Sequence, residues 1–285
     1  MLALIVLNYN DYETTESFIN CVRPYENIDK IIVVDNCSTD KSYEKLSKLE
    51  NEKINVIQTD YNKGYAAGND FGIQYAVDRY NPDFLVISNP DVEFEKKTLD
   101  VMCNVMKEKN RAGVVTCMMN CTSGIELPVA WKLPTYKDCL IENLFILKKI
   151  LGNSLEYDKS YFSNEICEVD VVPGSFFMIS TETYKEIGGF DKSTFLYYEE
   201  NILSHRLKEN SFVNYICTDI EYIHRHSVSI NKSINSVRKR LRMCYESRLV
   251  YCANYLKVGT IQKFLLWLAF EIGTFNYLVY KKIFP

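Results

Sequence analysis

An apolar run, Phe84-Leu85-Val86-Ile87, runs out into Ser88-Asn89-Pro90-Asp91, which sets the Asp91 carboxylate at the end of a strand. Two earlier runs end the same way: Leu4-Ile5-Val6-Leu7 in Asn8-Tyr9-Asn10, and Ile31-Ile32-Val33-Val34 in Asp35-Asn36. Open α/β sheets bind ligands outside the carboxyl ends of their strands. Three strand ends bearing Asn, Asp and Asp therefore describe a polar site, not a core. Alone, Asn-Pro-Asp after a strand reads as a turn; its convergence with Asp35 makes it chemistry. A carboxylate there suits a hard divalent cation, Mg²⁺ or Mn²⁺, bridging the phosphates of a diphosphate leaving group. Asp91 is the natural ligand and Glu93 a secondary candidate.

The other polar groups fit a nucleotide sugar. Asp35 is placed to accept from a base N–H or a ribose hydroxyl, and Asn8, Tyr9 and Asn10 to hydrogen-bond or stack on the base. Asn62-Lys63-Gly64-Tyr65-Ala66-Ala67-Gly68-Asn69 opens a helix with small residues, so that its backbone N–H groups are expected to approach a ligand closely. It is neither a Walker loop nor G-x-G-x-x-G. Glu199-Glu200 opens a later helix after Phe195-Leu196-Tyr197-Tyr198. Two adjacent carboxylates in a site raise one another's pKa, and one of them suits a general base. Helix N-terminal acids favoured by the macrodipole are the plainer reading.

These residues must be carried by a sheet. Strands are expected at 3–7, 31–35, 54–58, 84–88 and 113–118, with helices near 12–22, 40–49, 66–80 and 96–108. Such alternation implies an α/β fold with a mostly parallel sheet covered on both faces. Regularity is lost over 119–165 except for a helix near 138–151. A strand running to Ile179, helices at 181–187 and 199–208, and strands near 212–217 and 220–224 follow. Two helices, about 234–255 and 260–280, close the chain.

Taken together the motifs resemble the family 2 glycosyltransferases of the GT-A fold, especially their rhamnosyltransferase-like branch. The resemblance covers about residues 2–230. Its further parts are Val33 to Asp40, Gly174-Ser175-Phe176-Phe177, Gly188-Gly189-Phe190-Asp191 and Tyr198-Glu199-Glu200. It implies an inverting transferase that moves a sugar from a nucleotide-diphospho-sugar, dTDP-rhamnose or a UDP-hexose, to a hydroxyl of a glycan or polyprenyl-linked acceptor in surface-polysaccharide synthesis. It implies Glu200 as general base with Glu199 beside it, Asp191 at acceptor hydroxyls, and His224, or His226, as a further metal or phosphate ligand. The family's metal motif is Asp-x-Asp; here its first position is Asn89, which leaves Asp91 the one sure carboxylate and Asn89 a donor-side residue. A position where the family often has Asp is Ile202. These departures keep a rival alive, an inactive nucleotide-sugar-binding or partner subunit. A nucleotidyltransferase would need a basic Gly-rich loop straight after the first strand, which Asn8-Tyr9-Asn10 lacks.

Composition frames this reading. The chain has 285 residues, 47% of them apolar. That allows one large or two small domains with a sizeable core; the resemblance implies a GT-A domain over 1–230, with a nucleotide-binding half at 1–118 and an acceptor-side half at 119–230. The overall charge is −4, yet residues 232–285 hold ten Lys/Arg against two Glu, leaving −12 for the remainder. A basic, aromatic tail on an acidic body suggests a membrane surface or an acidic partner, the plainer reading being a helix packed on the body or at a homodimer interface, and no nucleic-acid motif accompanies it. Phe264 to Phe270 is too short to span a bilayer and fits an interfacial helix. Ten scattered cysteines without C-x-x-C spacing read as free thiols, Cys21, Cys117 and Cys217 as core residues. Without a basic n-region, the protein is expected in the cytoplasm, peripheral on the inner face of the plasma membrane.

Overall fold

Strands β1 (Leu2–Asn8), β2 (Lys30–Asp35), β3 (Ile54–Gln58) and β4 (Phe84–Ser88) are parallel and lie in the order β3-β2-β1-β4. Their near-continuous Val/Ile/Leu content follows from burial on both faces. Leu2, Leu4 and Val6 enter one core cluster, and Ala3 and Ile5 the other. Helices α1 (Tyr12–Val22), α2 (Ser42–Leu46) and α3 (Tyr65–Tyr80) connect them. Gly72 lets α3 lie close on the sheet, since a Cβ there would stand 2.5 Å from Val34 and 2.8 Å from Ile5. The computed structural model describes residues 1–121, 128–152, 154–225 and 236–283.

The second half of the sheet is mixed. After β5 (Val92–Phe94) and α4 (Lys96–Glu108) come β6 (Ala112–Cys121), β7 (Ile166–Val169), β8 (Phe176–Ser180) and β9 (Val213–His224). β8 runs antiparallel between β4 and β6, β9 is parallel to β6, and β5 and β7 pair antiparallel with β9. The parallel pairings of the mostly parallel sheet expected from the sequence lie in its first four strands and between β6 and β9. The expected strands at 212–217 and 220–224 are one strand, with a register shift at Cys117/Met118 of its partner.

The segment expected to hold one helix at 138–151 holds two, α5 (Tyr136–Asn143) and α6 (Phe145–Leu151). Leu144 is extended between them (φ −94°, ψ 90°). The break fits against Gly273 of the last helix, where any Cβ would stand 1.7 Å from the Asn143 carbonyl oxygen. Helices α7 (Thr181–Glu186), α8 (Glu199–Glu209), α9 (Val237–Asn254) and α10 (Thr260–Ile283) complete the chain. A third apolar cluster joins Cys139 of α5, Tyr198 and Ile202 at α8, Tyr245, Tyr251 and Cys252 of α9, and Leu266 of α10. The C-terminal helices therefore share a core with the helix that carries Glu199 and Glu200. Cys117 and Cys217 are buried as expected, whereas Cys21 is exposed, because α1 turns Phe18, Ile19 and Val22 inward instead.

Candidate active site

Parallel register aligns three polar strand ends, pairing Asn8 with Asp35 and Asp35 with Gln58. Asp35 is wholly buried. Its Oδ1 accepts from Asn8 Nδ2 (2.8 Å), and its Oδ2 from Gln58 Nε2 (2.9 Å) and the Ser38 N–H (3.0 Å). Asn8 is equally committed, with its Oδ1 accepting from Thr15 Oγ1 at 2.8 Å. Asn10 Oδ1 accepts from the Thr39 N–H (2.7 Å), and the Asn10 N–H donates to Ser38 Oγ (2.9 Å). These side chains knit the β1 and β2 loops together; Tyr9 between them is left partly exposed. Ser38 lies within the Val33 to Asp40 motif, whereas Gln58, the last residue of a short strand, carries no signal beyond position.

Protein atoms crowd the glycines of the Asn62–Asn69 loop. Gly64 (φ +96°) is needed because a Cβ would stand 1.9 Å from the Phe195 carbonyl oxygen, which accepts from the Tyr65 N–H at 2.9 Å. A Cβ on Gly68 would stand 2.5 Å from Leu7. Asn62 Oδ1 accepts from the Gly64 N–H (2.8 Å) and Asn36 Nδ2 (3.0 Å), and Asn69 is buried with its Nδ2 on the Tyr65 carbonyl (3.1 Å). Tyr65 reaches across the molecule, donating from its hydroxyl to the Gly174 carbonyl at 2.5 Å.

Asp91 and His224 come together. β5 pairs Val92 with His224, and His224 Nε2 stands 3.3 Å from Asp91 Oδ1, both residues buried. A carboxylate oxygen and an imidazole nitrogen are a fitting donor set for Mn²⁺ or Mg²⁺, and adjacent ligands of such an ion, at about 2.1 Å from it, stand about 3 Å apart. Glu93 instead pairs with Arg225. Among the described residues no group of three or more His, Cys, Asp or Glu gathers as a full ligand set, so a bound ion would take its remaining oxygens from substrate or water. His226 lies outside the described residues.

The acidic pair sits across the β8 entry. The Asn89 N–H donates to the Ser175 carbonyl at 2.8 Å, Ser175 Oγ lies 2.9 Å from Tyr222 Oη, and the Gly174 N–H donates to Glu200 Oε1 at 3.3 Å. Gly174-Ser175 thus joins the Asp91 end of β4 to the Glu200 end of α8. Glu199 is 6% exposed, and no donor among the described residues reaches its Oε2. Burial pushes its carboxyl well above the usual carboxylate range, and the charge of Glu200 adds to the rise. Burial raises Glu200 as well, but backbone N–H groups, that of Gly174 among them, pull it back. Of the two, Glu200 gives up its proton first and Glu199 is the neutral neighbour. Burial and then the two glutamates hold the Tyr65 hydroxyl protonated.

Two tyrosines before the pair, Tyr197 (φ 73°) and Tyr198 (φ 68°), are left-handed without being glycine, a strain of about 1–3 kcal/mol each. Asp191 is engaged inside the protein. Its Oδ1 accepts from the Ser193 N–H at 2.8 Å and its Oδ2 from the Tyr255 hydroxyl at 2.5 Å. Burial would raise its pKa, yet these hydrogen bonds outweigh that and lower it.

Residues 3–188 match the sequence family described as Glycosyl transferase family 2. The chain belongs to that family. This glycosyltransferase is 26% identical over 227 residues to the low-salt glycan biosynthesis hexosyltransferase Agl10 of Haloferax volcanii, covering 80% of this chain and 68% of that protein. It is 22% identical over 216 residues to the N-acetylglucosaminyl-diphospho-decaprenol L-rhamnosyltransferase of Mycobacterium tuberculosis, covering 71% and 68%. Among solved structures, the mannosyltransferase PcManGT of Pyrobaculum calidifontis, in complex with GDP-Man and Mn²⁺, superposes with a TM-score of 0.59 at 11% identity, covering 99% of this chain and 75% of that one. S. aureus TarS in complex with UDP-GlcNAc gives 0.59 at 17% identity, covering 97% and 73%. These likenesses establish the GT-A-like fold.

The fold also accounts for a departure of this glycosyltransferase from the family pattern. Ile202 is 1% exposed in the third apolar cluster, which includes Tyr245, Tyr251 and Cys252 of the C-terminal helices, so an Asp there would bury a carboxylate.

Proposed function

We propose that this family 2 glycosyltransferase transfers a sugar, with inversion, from a nucleotide-diphospho-sugar to a hydroxyl of a lipid-linked saccharide in surface-polysaccharide synthesis. The observation that carries the reading is the meeting of the Asp91–His224 pair with the Glu199–Glu200 pair at Gly174-Ser175. The nucleotide lies over the ends of β1, β2 and β3, with its base against Tyr9; Asp35 acts from beneath, ordering Asn8, Ser38 and Gln58. Asp91 and His224 would hold a divalent cation, which supplies charge neutralisation to the departing diphosphate. Glu200 takes the acceptor proton as that oxygen attacks the anomeric carbon on the side opposite the leaving group. The C–O bond to the diphosphate breaks and its electron pair stays on the phosphate oxygen. Glu199, kept neutral, spares Glu200 a second charge. The relatives named as a hexosyltransferase and a decaprenol-linked rhamnosyltransferase support this class of reaction and a polyprenyl acceptor. The test is transfer from dTDP-rhamnose and UDP-hexoses to a polyprenyl-diphospho-saccharide, with the anomeric configuration of the product read by NMR. An inverted product supports the reading; donor binding without any transfer would favour a partner subunit.

The surface of α10 supports a membrane-bound acceptor. Ile261, Phe264, Leu268, Ile272, Phe275 and Val279 recur at helical spacing and are exposed, while Leu266, Ala269 and Gly273 face the body. On α6, Ile150 and Leu151 are exposed as well. Lys148 and Lys149 lie on α6, where Lys149 Nζ reaches Tyr280 Oη of α10 at 3.1 Å, and Lys263, Lys281 and Lys282 lie on α10. Apolar and aromatic groups together with lysines match an anionic lipid surface. No helix of the described residues is long and apolar enough to cross a membrane, so the contact proposed is peripheral.

A further inference from the structure

We propose that Arg248 is a positioning residue for the Glu199–Glu200 pair, acting through Tyr198. The inference rests on the reading of Glu200 as general base.

Both carboxylates sit in the first turn of α8, whose N-cap is Tyr198 and has no side-chain cap. The direction of that turn is therefore set by whatever fixes the two left-handed residues Tyr197 and Tyr198. Strained backbone persists only where its surroundings over-determine it. Here the restraint comes from α9. Arg248 Nε donates to Tyr198 Oη at 2.8 Å, and the guanidinium carbon lies 5.3 Å from the centre of the tyrosine ring. Arg248 Nη2 donates to Glu142 Oε2 at 3.0 Å, and Tyr198 Oη donates to the same oxygen at 3.2 Å. Arg248 Nη1 donates to Asn143 Oδ1. The neighbouring Ser247 Oγ donates to the Leu196 carbonyl at 2.8 Å, pinning the same turn two residues earlier.

A buried ion pair contributes little net stability compared with an apolar replacement, but its directional bonds specify one geometry. The rigid, five-donor guanidinium is the side chain able to meet three elements at fixed angles. Arg248 thus ties α5, α9 and the α8 N-terminus into one arrangement, in which Glu200 meets the Gly174 N–H. The charges of both glutamates act on the Tyr65 hydroxyl from α3, and that of Glu199 acts on Tyr197 in the turn and on Cys244 of α9; Arg240 also acts on Tyr197, and Arg248, Glu142 and Lys148 on Cys244. Because α5 and α10 pack together, the tail is coupled to the base through this network.

The experiment compares full-length wild type, Tyr198→Phe, Arg248→Met and the double variant. Donor affinity is taken from a thermal shift with the nucleotide sugar and turnover from transfer to acceptor, both across pH. Tyr198→Phe keeps the ring and the Arg248–Glu142 pair but removes the shared hydroxyl. The expected result is a loss of tenfold or more in kcat for each single variant, with unchanged donor affinity and a displaced acid limb of kcat. The double variant should be no worse than Arg248→Met alone. Tyr198→Phe with wild-type kcat and acid limb would overturn the proposal, as would additive losses in the double variant. Should Arg248→Met fail to fold, Tyr198→Phe and Glu142→Gln carry the same test. Wild type that binds no donor would instead refute the reading of the reaction.

Discussion

The Gly174 backbone N–H points at Glu200 Oε1 from 3.3 Å, while the Oε2 of the adjacent Glu199 has no donor among the described residues. Burial raises both carboxyls, and backbone N–H groups, that of Gly174 among them, pull Glu200 back, so that Glu199 is held the higher of the two. The division of labour has a direct kinetic consequence. Glu200→Gln should lower kcat by about 10²–10⁴, the range of a positioned general base, whereas Glu199→Gln should cost about tenfold or less. Steady-state transfer assays on both variants check this, and the opposite ranking would move the base to Glu199.

The same burial predicts how stability varies with pH. Glu199 is raised in the folded state, so folding favours its protonated form. Its contribution is fully present below the unfolded pKa of about 4.3 and is lost as pH rises through the folded value, by about 1.4 kcal/mol per pH unit. Glu199→Gln cannot ionise and should escape that loss. Urea denaturation of both proteins from pH 4 upward should show the wild type falling relative to the variant; parallel curves would contradict the assignment.

Asp91 and His224 should be separable by metal dependence. Asp91→Ala removes the one carboxylate of the pair and should abolish any Mn²⁺-dependent gain in donor affinity. His224→Ala should weaken it by about 10–100-fold, leaving a residual dependence through Asp91. Titration of Mn²⁺ at fixed donor, followed by thermal shift, reads both.

The apolar stripe of α10 should matter to membranes without mattering to donor chemistry. Removing the whole helix would strip Leu266 and Phe270 from the core they share with α9, so point changes are the cleaner test. Phe264→Ser, Trp267→Ser and Phe275→Ser together should lower binding to anionic vesicles by at least about tenfold, since each buried aromatic contributes about 1.5–3 kcal/mol. Neutral vesicles should bind less than anionic ones. Loss of a dimer with unchanged vesicle binding would assign the stripe to a second copy of the chain.

Much of this was legible in the sequence because the signals are local. Apolar runs ending in Asn8, Asp35 and Asp91 announce their strands and their edge within a few residues, and Glu199-Glu200 announces a helix start. β5 and β7 went unread because three or four residues carry no period, and β9 was split because the register shift interrupts its alternation. The partners of the site residues were harder still. Nothing near Asp35 says that Gln58, 23 residues on, occupies its Oδ2. Nothing near Gly64 says that the backbone of Phe195 demands it. Arg248 reads as one more basic residue of a charged tail, yet it is buried against a tyrosine 50 residues earlier. Such contacts are fixed by tertiary packing, which no local pattern encodes.

In the proposed reaction the strand ends bind a nucleotide sugar through Asp91, and Glu200 at the start of α8 activates the acceptor. A thermal-shift panel of UDP-, dTDP- and GDP-sugars, each with and without Mn²⁺, tests it most directly on wild type, Asp91→Ala and Glu200→Gln. A donor at a hundred times its dissociation constant stabilises by about 2.7 kcal/mol, a readily visible shift. The expected result is a metal-dependent shift with one nucleotide class, kept in Glu200→Gln and lost in Asp91→Ala. No shift with any nucleotide, or an undiminished metal-dependent shift in Asp91→Ala, would contradict it.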